Sequence, residues 1–204
     1  DPAFNGIKRE LVAQDYVYAF KRFYDPRWKS PAYATLHELQ MLGMAPLRDA
    51  VLKDKKPFDY DTEVEGLRAL DRYTIRFRFE RPQPRFIQTL AGGDLYGAVA
   101  REVVEAYGDD IMAHPVGTGP FVLKDWVRRS RIVLERNPNH RGYELDTRYA
   151  NSADPWDRAV MAELRGKRLP LLDRVEIYPI EDEQPRFLAF LNREHDLLDE
   201  LPFA

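Results

Sequence analysis

The residues best spaced to do chemistry lie in "HPVGTGPFVLKDW", His114 to Trp126. Gly117 and Gly119 flank Thr118, and Pro120 follows. A glycine-rich turn cradles phosphate when the N–H groups that open a helix complete the cradle. This stretch lacks the third glycine of a dinucleotide fingerprint and the Gly-Lys-Ser/Thr of a P-loop. It also leads into a strand-like run rather than a helix. The expectation is a turn in which Gly117 and Gly119 allow a backbone conformation that other residues resist, with Pro120 fixing the entry to the strand.

Other chemistries find less support. The four histidines, His37, His114, His140 and His195, are never three to five residues apart, so no helical zinc pair exists. His37 falls on a predicted helix and reads as a surface or core-edge residue. Ser30, Ser130 and Ser152 lie outside any G-x-S-x-G elbow. The chain has no cysteine, which removes disulfides, thiolate metal sites and cysteine nucleophiles together. Its 34 Asp and Glu residues are what a solvated surface requires, and none stands out as an acid–base pair. No enzyme, cofactor or metal site is therefore expected. The aromatic residues near the start are mostly accounted for as core by helical spacing. Trp28 and Tyr33, in or beside the proline-punctuated "DPRWKSP", are the better candidates to face a ligand.

The elements that must position these residues follow from periodicity. In "LVAQDYVYAFKRF", Val12, Tyr16, Ala19, Phe20 and Phe23 recur at helical spacings. Pro26 and Pro31 end that helix. A second helix is predicted over Tyr33–Leu42 and a third over about Leu47–Lys53. Tyr73, Ile75, Phe77 and Phe79 alternate with polar residues, predicting a strand with one dry face. Short helices follow in "RFIQTLAGG" and "REVVEAYG", the latter with Gly108 as its C-cap. Phe121 and Leu123, then Ile132 and Leu134 across "RRS", predict a hairpin. Asp154, Pro155 and Asp157 open a helix with the stripe Trp156, Val160, Leu164, and Gly166 closes it. A strand "LDRVEIYPI", a helix "DEQPRFLAFLNRE" and an extended exit complete the chain. The pattern is α/β without a regular βαβ array, and composition shifts near His114 and Pro115.

Bulk properties narrow the class. Hydrophobic residues at 44% are too many for disorder, and 204 residues suffice for one good core or two small ones. A net charge of −3 argues against a nucleic-acid partner. No run approaches the roughly 18 apolar residues of a membrane span. The opening "DPAFNGIK" has neither Met nor a signal peptide, so the chain reads as a piece of something longer.

Several segments, taken in order, resemble the extracytoplasmic solute-binding proteins of peptide and nickel ABC importers, family 5. "AQDYVYAFKRFYDP" resembles the family's early helix, A-D-D-V-V-Y-S-L-K-R-L-x-D-P, and "SPAYA" follows it. "GLRALDRYTIRFRFERPQPRF" is similar to G-V-x-A-x-D-x-x-T-V-x-F-x-L-x-x-P-x-P-x-F. "VGTGPFVLKDWVRRSRIVLERNPNH" matches V-G-T-G-P-Y-x-L-x-x-W, a hydrophobic hairpin, then E-R-N-P. "LPLLDRVEIYPIEDEQPRFLAFLNREHDLLDELP" resembles the closing strand, helix and G-E-x-D-x-x-x-x-P. Two departures stand out: "RGYELDTRYANSADPWDRAVMAELRGKR" intervenes before the P-x-L-D strand, and Arg193 replaces a glycine. Asn192, beside it, tolerates a left-handed turn.

The resemblance implies an α/β, mixed-sheet fragment of a two-lobed, periplasmic-binding-protein-like (class II) fold that closes over solute by hinge motion. Residues 1–115 would form the peripheral subdomain of lobe one. Residues 116–204 would form part of its central subdomain, with an inserted excursion at about 141–168. The implied function is the receptor of an ABC importer, periplasmic or extracytoplasmic, holding a peptide or similar small solute without chemistry and meeting permease subunits. By position in the family pattern, Tyr33, Gly92, Gly93, Leu198, Asp199 and Glu200 would approach the cleft. For Asp199 and Glu200 a solvated surface is the equal alternative. The competing function is an interaction module, in which the Trp156 helix docks a permease or sensor.

Overall fold

The computed structural model describes residues 1–92, 95–146 and 153–201. They divide into two compact units, Asp1–Gly117 and Thr118–Ala204.

The first unit is built on α1 (Ala13–Tyr24). Ala13, Val17, Phe20 and Tyr24, spaced four, three and four apart, are buried along it. The stripe is turned from the predicted one: Ala19 and Phe20 are buried as expected, whereas Val12, Tyr16 and Phe23 are only partly so. Packing surrounds most of this helix, so apolar residues on its flanks carried no directional information. Asp15 closes the first turn by accepting the Val12 N–H at 2.8 Å. Pro26 then forces a single 3-10 turn, Pro26–Trp28, capped by the Asp25 carboxylate on the Arg27 N–H.

Helix α2 (Tyr33–Glu38) stops before the predicted Leu42 because Gln40 takes φ +53° and Met41 bridges to Phe79. Helix α3 (Met44–Asp54) begins earlier than predicted, since Pro46 sits in its first turn, where its missing N–H leaves no gap. Strand β1 (Leu67–Ala69) was not legible as a three-residue "LRA". It pairs with β2 (Ile75–Phe77) in the register Leu67↔Phe77, Arg68↔Arg76, Ala69↔Ile75. Ile75 and Phe77 pack against the core, as alternation predicted, and Leu67 and Ala69 join them from β1. Tyr73 does not; it lies outside the strand, 69% exposed, donating its hydroxyl to Glu10. Helices α4 (Phe86–Leu90) and α5 (Arg101–Tyr107) complete the unit, with Gly108 at φ +54° ending α5 as expected. Phe20, Tyr24, Leu36, Met44, Leu67 and Val103 are fully enclosed.

The second unit holds an antiparallel sheet in the order β3 (Phe121–Val127), β4 (Arg131–Arg136), β7 (Arg174–Ile177). Its β3–β4 hairpin is the predicted one. The pairings Leu123↔Leu134↔Val175 and Trp126↔Ile132↔Ile177 gather one apolar face. The opposite face carries Asp125↔Val133↔Glu176 and other charged residues. Between β4 and β7 the two-residue strands β5 (Tyr143–Glu144) and β6 (Arg168–Leu169) pair at the base of the predicted excursion, which carries α6 (Pro155–Leu164). Asp154 caps α6 through the Trp156 N–H at 2.8 Å, and Gly166 at φ +72° follows its end. Helix α7 (Glu183–Leu191) closes the unit. Among its described residues only Val133 and Ala189 are buried.

Two glycine expectations are corrected. Neither Gly117 nor Gly119 takes a positive φ, and an added Cβ would meet nothing within 4 Å at Gly117 and only the Phe121 carbonyl, at 4.0 Å, at Gly119. The turn is held instead by Asn137, whose side-chain amide donates to the Gly119 carbonyl and whose N–H donates to that of Pro120, both at 2.9 Å. The "VGTGP" and "ERNP" segments are thus bound to each other. After α7 the left-handed residue is Arg193 itself, at φ +62°, while Asn192 stays at φ −75°. The N–H groups of Arg193 and Glu194 reach the carbonyls of Phe190 and Ala189, both at 2.9 Å. This is a Schellman ending with arginine where glycine is favoured.

Candidate functional site

Each residue expected near a solute is placed by its own local packing. Tyr33 opens α2 half-buried. Its ring meets Tyr24 edge-on at 5.6 Å and stacks on His37 at 5.3 Å, while the Arg48 guanidinium lies 3.9 Å from the ring centre. Arg48 is fixed in turn by donating to the Tyr24 carbonyl at 2.9 Å. The Tyr24 hydroxyl donates to the Leu36 carbonyl, and burial pushes its pKa up, so it stays protonated. Gly92 follows α4, and a Cβ there would touch the Tyr96 ring at 3.5 Å. Tyr96 stacks on Phe20, so Tyr33 and Gly92 border one core through different neighbours. Gly93 lies outside the described residues. Leu198, partly buried, and Asp199 and Glu200, both exposed, lie in the second unit, in an irregular exit after α7.

Trp28 is held more firmly than its loop position implied. Its indole N–H donates to the Tyr60 hydroxyl at 2.9 Å, which donates to Asp25 at 2.7 Å. The guanidinium groups of Arg22 and Arg27 lie 4.4 and 4.9 Å from its ring centre. Burial and the accepting Asp25 carboxylate both raise the pKa of Tyr60. Lys21 completes this network. Its ammonium, in a residue only 3% exposed, donates to the carbonyls of Tyr60 and Thr62, each at 2.7 Å. Burial lowers its pKa below the ordinary lysine value. A lysine inside a helix signals none of this, because its partners are main-chain oxygens about forty positions away.

An open cleft of about 440 Å³ also marks the first unit, lined by Lys8, Arg9, Glu10, Gln14, Asp71 and Arg72 among others. Its charges are largely committed within the protein. Arg72 pairs with Glu10, and Arg9 reaches Asp15 at 2.5 Å and Glu102 at 2.6 Å. Glu10 is held below the usual carboxylate range by the Tyr73 hydroxyl and then Arg72. Among the described residues no group of three or more His, Asp or Glu is placed to hold a metal ion. None of the helices described is long and apolar enough to cross a membrane. The side chains collected here offer rings, hydroxyls and charges, which suit recognition.

Comparison with known proteins agrees with the sequence motifs. Residues 5–204 match the family described as "Bacterial extracellular solute-binding proteins, family 5 Middle". The periplasmic oligopeptide-binding protein OppA of Escherichia coli is 33% identical over 132 residues, covering 64% of this chain and 23% of that protein. Di/tripeptide-binding protein 4 of Pseudomonas aeruginosa is 25% identical over 209 residues, covering 95% of this chain and 34% of its own length. The chain thus spans about a quarter to a third of the curated relatives it matches. Among solved structures, the unliganded open form of the murein tripeptide-binding protein MppA superposes with a TM-score of 0.66 at 23% identity, over 95% of this chain and 32% of that one. Haemophilus influenzae OppA in complex with the peptide RPPGFSPFR gives 0.63 at 21% identity, over 91% and 30%. These likenesses establish the fold as part of a periplasmic-binding-protein architecture. OppA of Escherichia coli and MppA are named periplasmic, and this chain is periplasmic or extracytoplasmic with them. With nearly every residue inside the match, the chain belongs to the family 5 bacterial extracellular solute-binding proteins.

Proposed function

We propose that this chain is part of the receptor of an ABC importer, one that binds a peptide or similar small organic solute and does no chemistry on it. The observation that carries the reading is the family match through residues 5–204, joined to relatives named for oligopeptides and for di- and tripeptides. Residues 1–115 serve as the peripheral subdomain of lobe one and residues 116–204 as part of its central subdomain. Tyr33, Gly92, Gly93, Leu198, Asp199 and Glu200 wall the solute cleft, and permease subunits are the protein partners. In support, Tyr33 is a ring already oriented by three neighbours, and Asp199 and Glu200 are exposed carboxylates suited to a cationic group. Titration calorimetry of the protein containing this chain, against peptides of two to five residues, tests the reading. Saturable heat, weakened several-fold by Tyr33→Ala or Asp199→Asn, is expected; no heat with any peptide or small solute overturns it.

One observation favours a second reading, a docking role for the excursion at about 141–168. Trp156 stands 71% exposed at the start of α6, on an element outside the β3–β4–β7 sheet. Trp156→Ala weakening association with the permease while leaving solute affinity intact is the result that supports it.

A further inference from the structure

The solvent side of the β1–β2 pair carries two facing arginines. The register sets Arg68 directly opposite Arg76. Like charges facing each other across an antiparallel pair repel, and a strand needs only one polar residue there to keep its wet face wet. Alternation sends both away from the Leu67, Ala69, Ile75 and Phe77 core. The nearby acids do not balance them. Glu63 pairs with Arg68 at 2.8 Å, and Glu65 is taken by Arg78. Among the described residues no carboxylate pairs with Arg76. Both Arg68 and Arg76 keep a buried Nε that has no acceptor. A buried donor without an acceptor costs stability, and here two residues facing each other in the register each carry one, with one positive charge left over.

We propose that Arg68 and Arg76 form an oxyanion site, taking one carboxylate or phosphate group. A planar guanidinium fork suits the oxygens of such a group, and one anion bound by both arginines cancels the repulsion between them. Small side-chain rotations turn the Nε edges toward the anion and give the orphaned donors their acceptor.

The test is nuclear magnetic resonance of the arginine Nε–H signals in the whole chain, titrated with inorganic phosphate or with acetate at constant ionic strength. The Arg68 and Arg76 signals are expected to shift and saturate, with half-saturation on the order of millimolar, as suits one exposed anion contact. Arg76→Gln should weaken saturation of the Arg68 signal by about tenfold or more. Arg76→Lys, which keeps the charge but loses the fork, should fall between. Arg81→Gln, a charge control whose wild-type side chain bonds Gln40, should change nothing. Saturation by phosphate alone identifies a phosphate-class ligand, and saturation by acetate as well or alone a carboxylate; either supports the site. Shifts that grow linearly with both anions, or an Arg76→Gln variant that saturates like the parent, overturn it. Thermal melts of each variant confirm that the chain remains folded.

Discussion

The two units solve the same problem with unequal means. Asp1–Gly117 closes a core of aromatic and aliphatic side chains around α1, with Phe20, Tyr24, Leu36 and Met44 fully enclosed. Thr118–Ala204 has comparable regular structure, yet among its described residues only Val133 and Ala189 are buried. Its sheet gathers Leu123, Leu134, Val175, Trp126, Ile132 and Ile177 on one face without enclosing them. Hydrogen-bonded strands alone do not make a stable unit, because the net worth of each bond is small and burial supplies most of the driving force. Within the described residues, the first unit encloses its own core, and the second leaves the apolar face of its sheet unenclosed.

That contrast can be broken by substitution, and the largest effects belong to the first unit. Phe20→Ala, which removes a ring packed against Phe23, Phe77 and Tyr96, should cost about 3–5 kcal/mol in denaturant unfolding. Val133→Ala should cost only about 1–2 kcal/mol; an equal cost at both positions would contradict the comparison. Gly66→Ala comes next, at about 3 kcal/mol, because its Cβ would fall on the Leu42 backbone, which cannot step aside as a side chain can. Lys21→Met should cost about 2 kcal/mol by leaving the Tyr60 and Thr62 carbonyls without a donor.

Lys21 also sets a pH dependence. Its folded-state pKa is lowered by burial, so the unfolded chain binds more protons at this site over the window between the folded and ordinary lysine pKa values. Stability contributed by this group therefore rises as pH climbs through that window, and Lys21→Met should flatten the rise in alkaline unfolding curves. The smallest effect has the opposite sign. Arg193→Gly should stabilise the end of α7 by about 1 kcal/mol, since arginine there occupies a left-handed conformation.

Local signals in the sequence were legible where chemistry and partner were adjacent. Asp154, Pro155 and Gly166 bounded α6, Gly108 closed α5, and the β3–β4 hairpin followed from alternation around one turn. What escaped depended on distant partners. Strand β1 exists because Leu67–Ala69 finds Ile75–Phe77, and the facing of Arg68 and Arg76 is visible only once that register is set. The "VGTGP" turn gave its position correctly but not its cause, which lies in the Asn137 amide eighteen residues on. The proposed cleft residues were placed by family position alone. Tyr33 and Gly92 fall in one unit and Leu198, Asp199 and Glu200 in the other, and no local pattern could have grouped them.

Native-state hydrogen exchange on the whole chain tests the central claim most directly. Amides of α1, read at Phe20 and Tyr24, should exchange only through global unfolding of their unit, with protection that falls in step with denaturant. Amides of β3, β4 and β7, read at Leu123, Val133 and Val175, should exchange through smaller openings at lower free energy. Equal protection in both sets, lost together at one denaturant concentration, would show a single cooperative core and contradict the account.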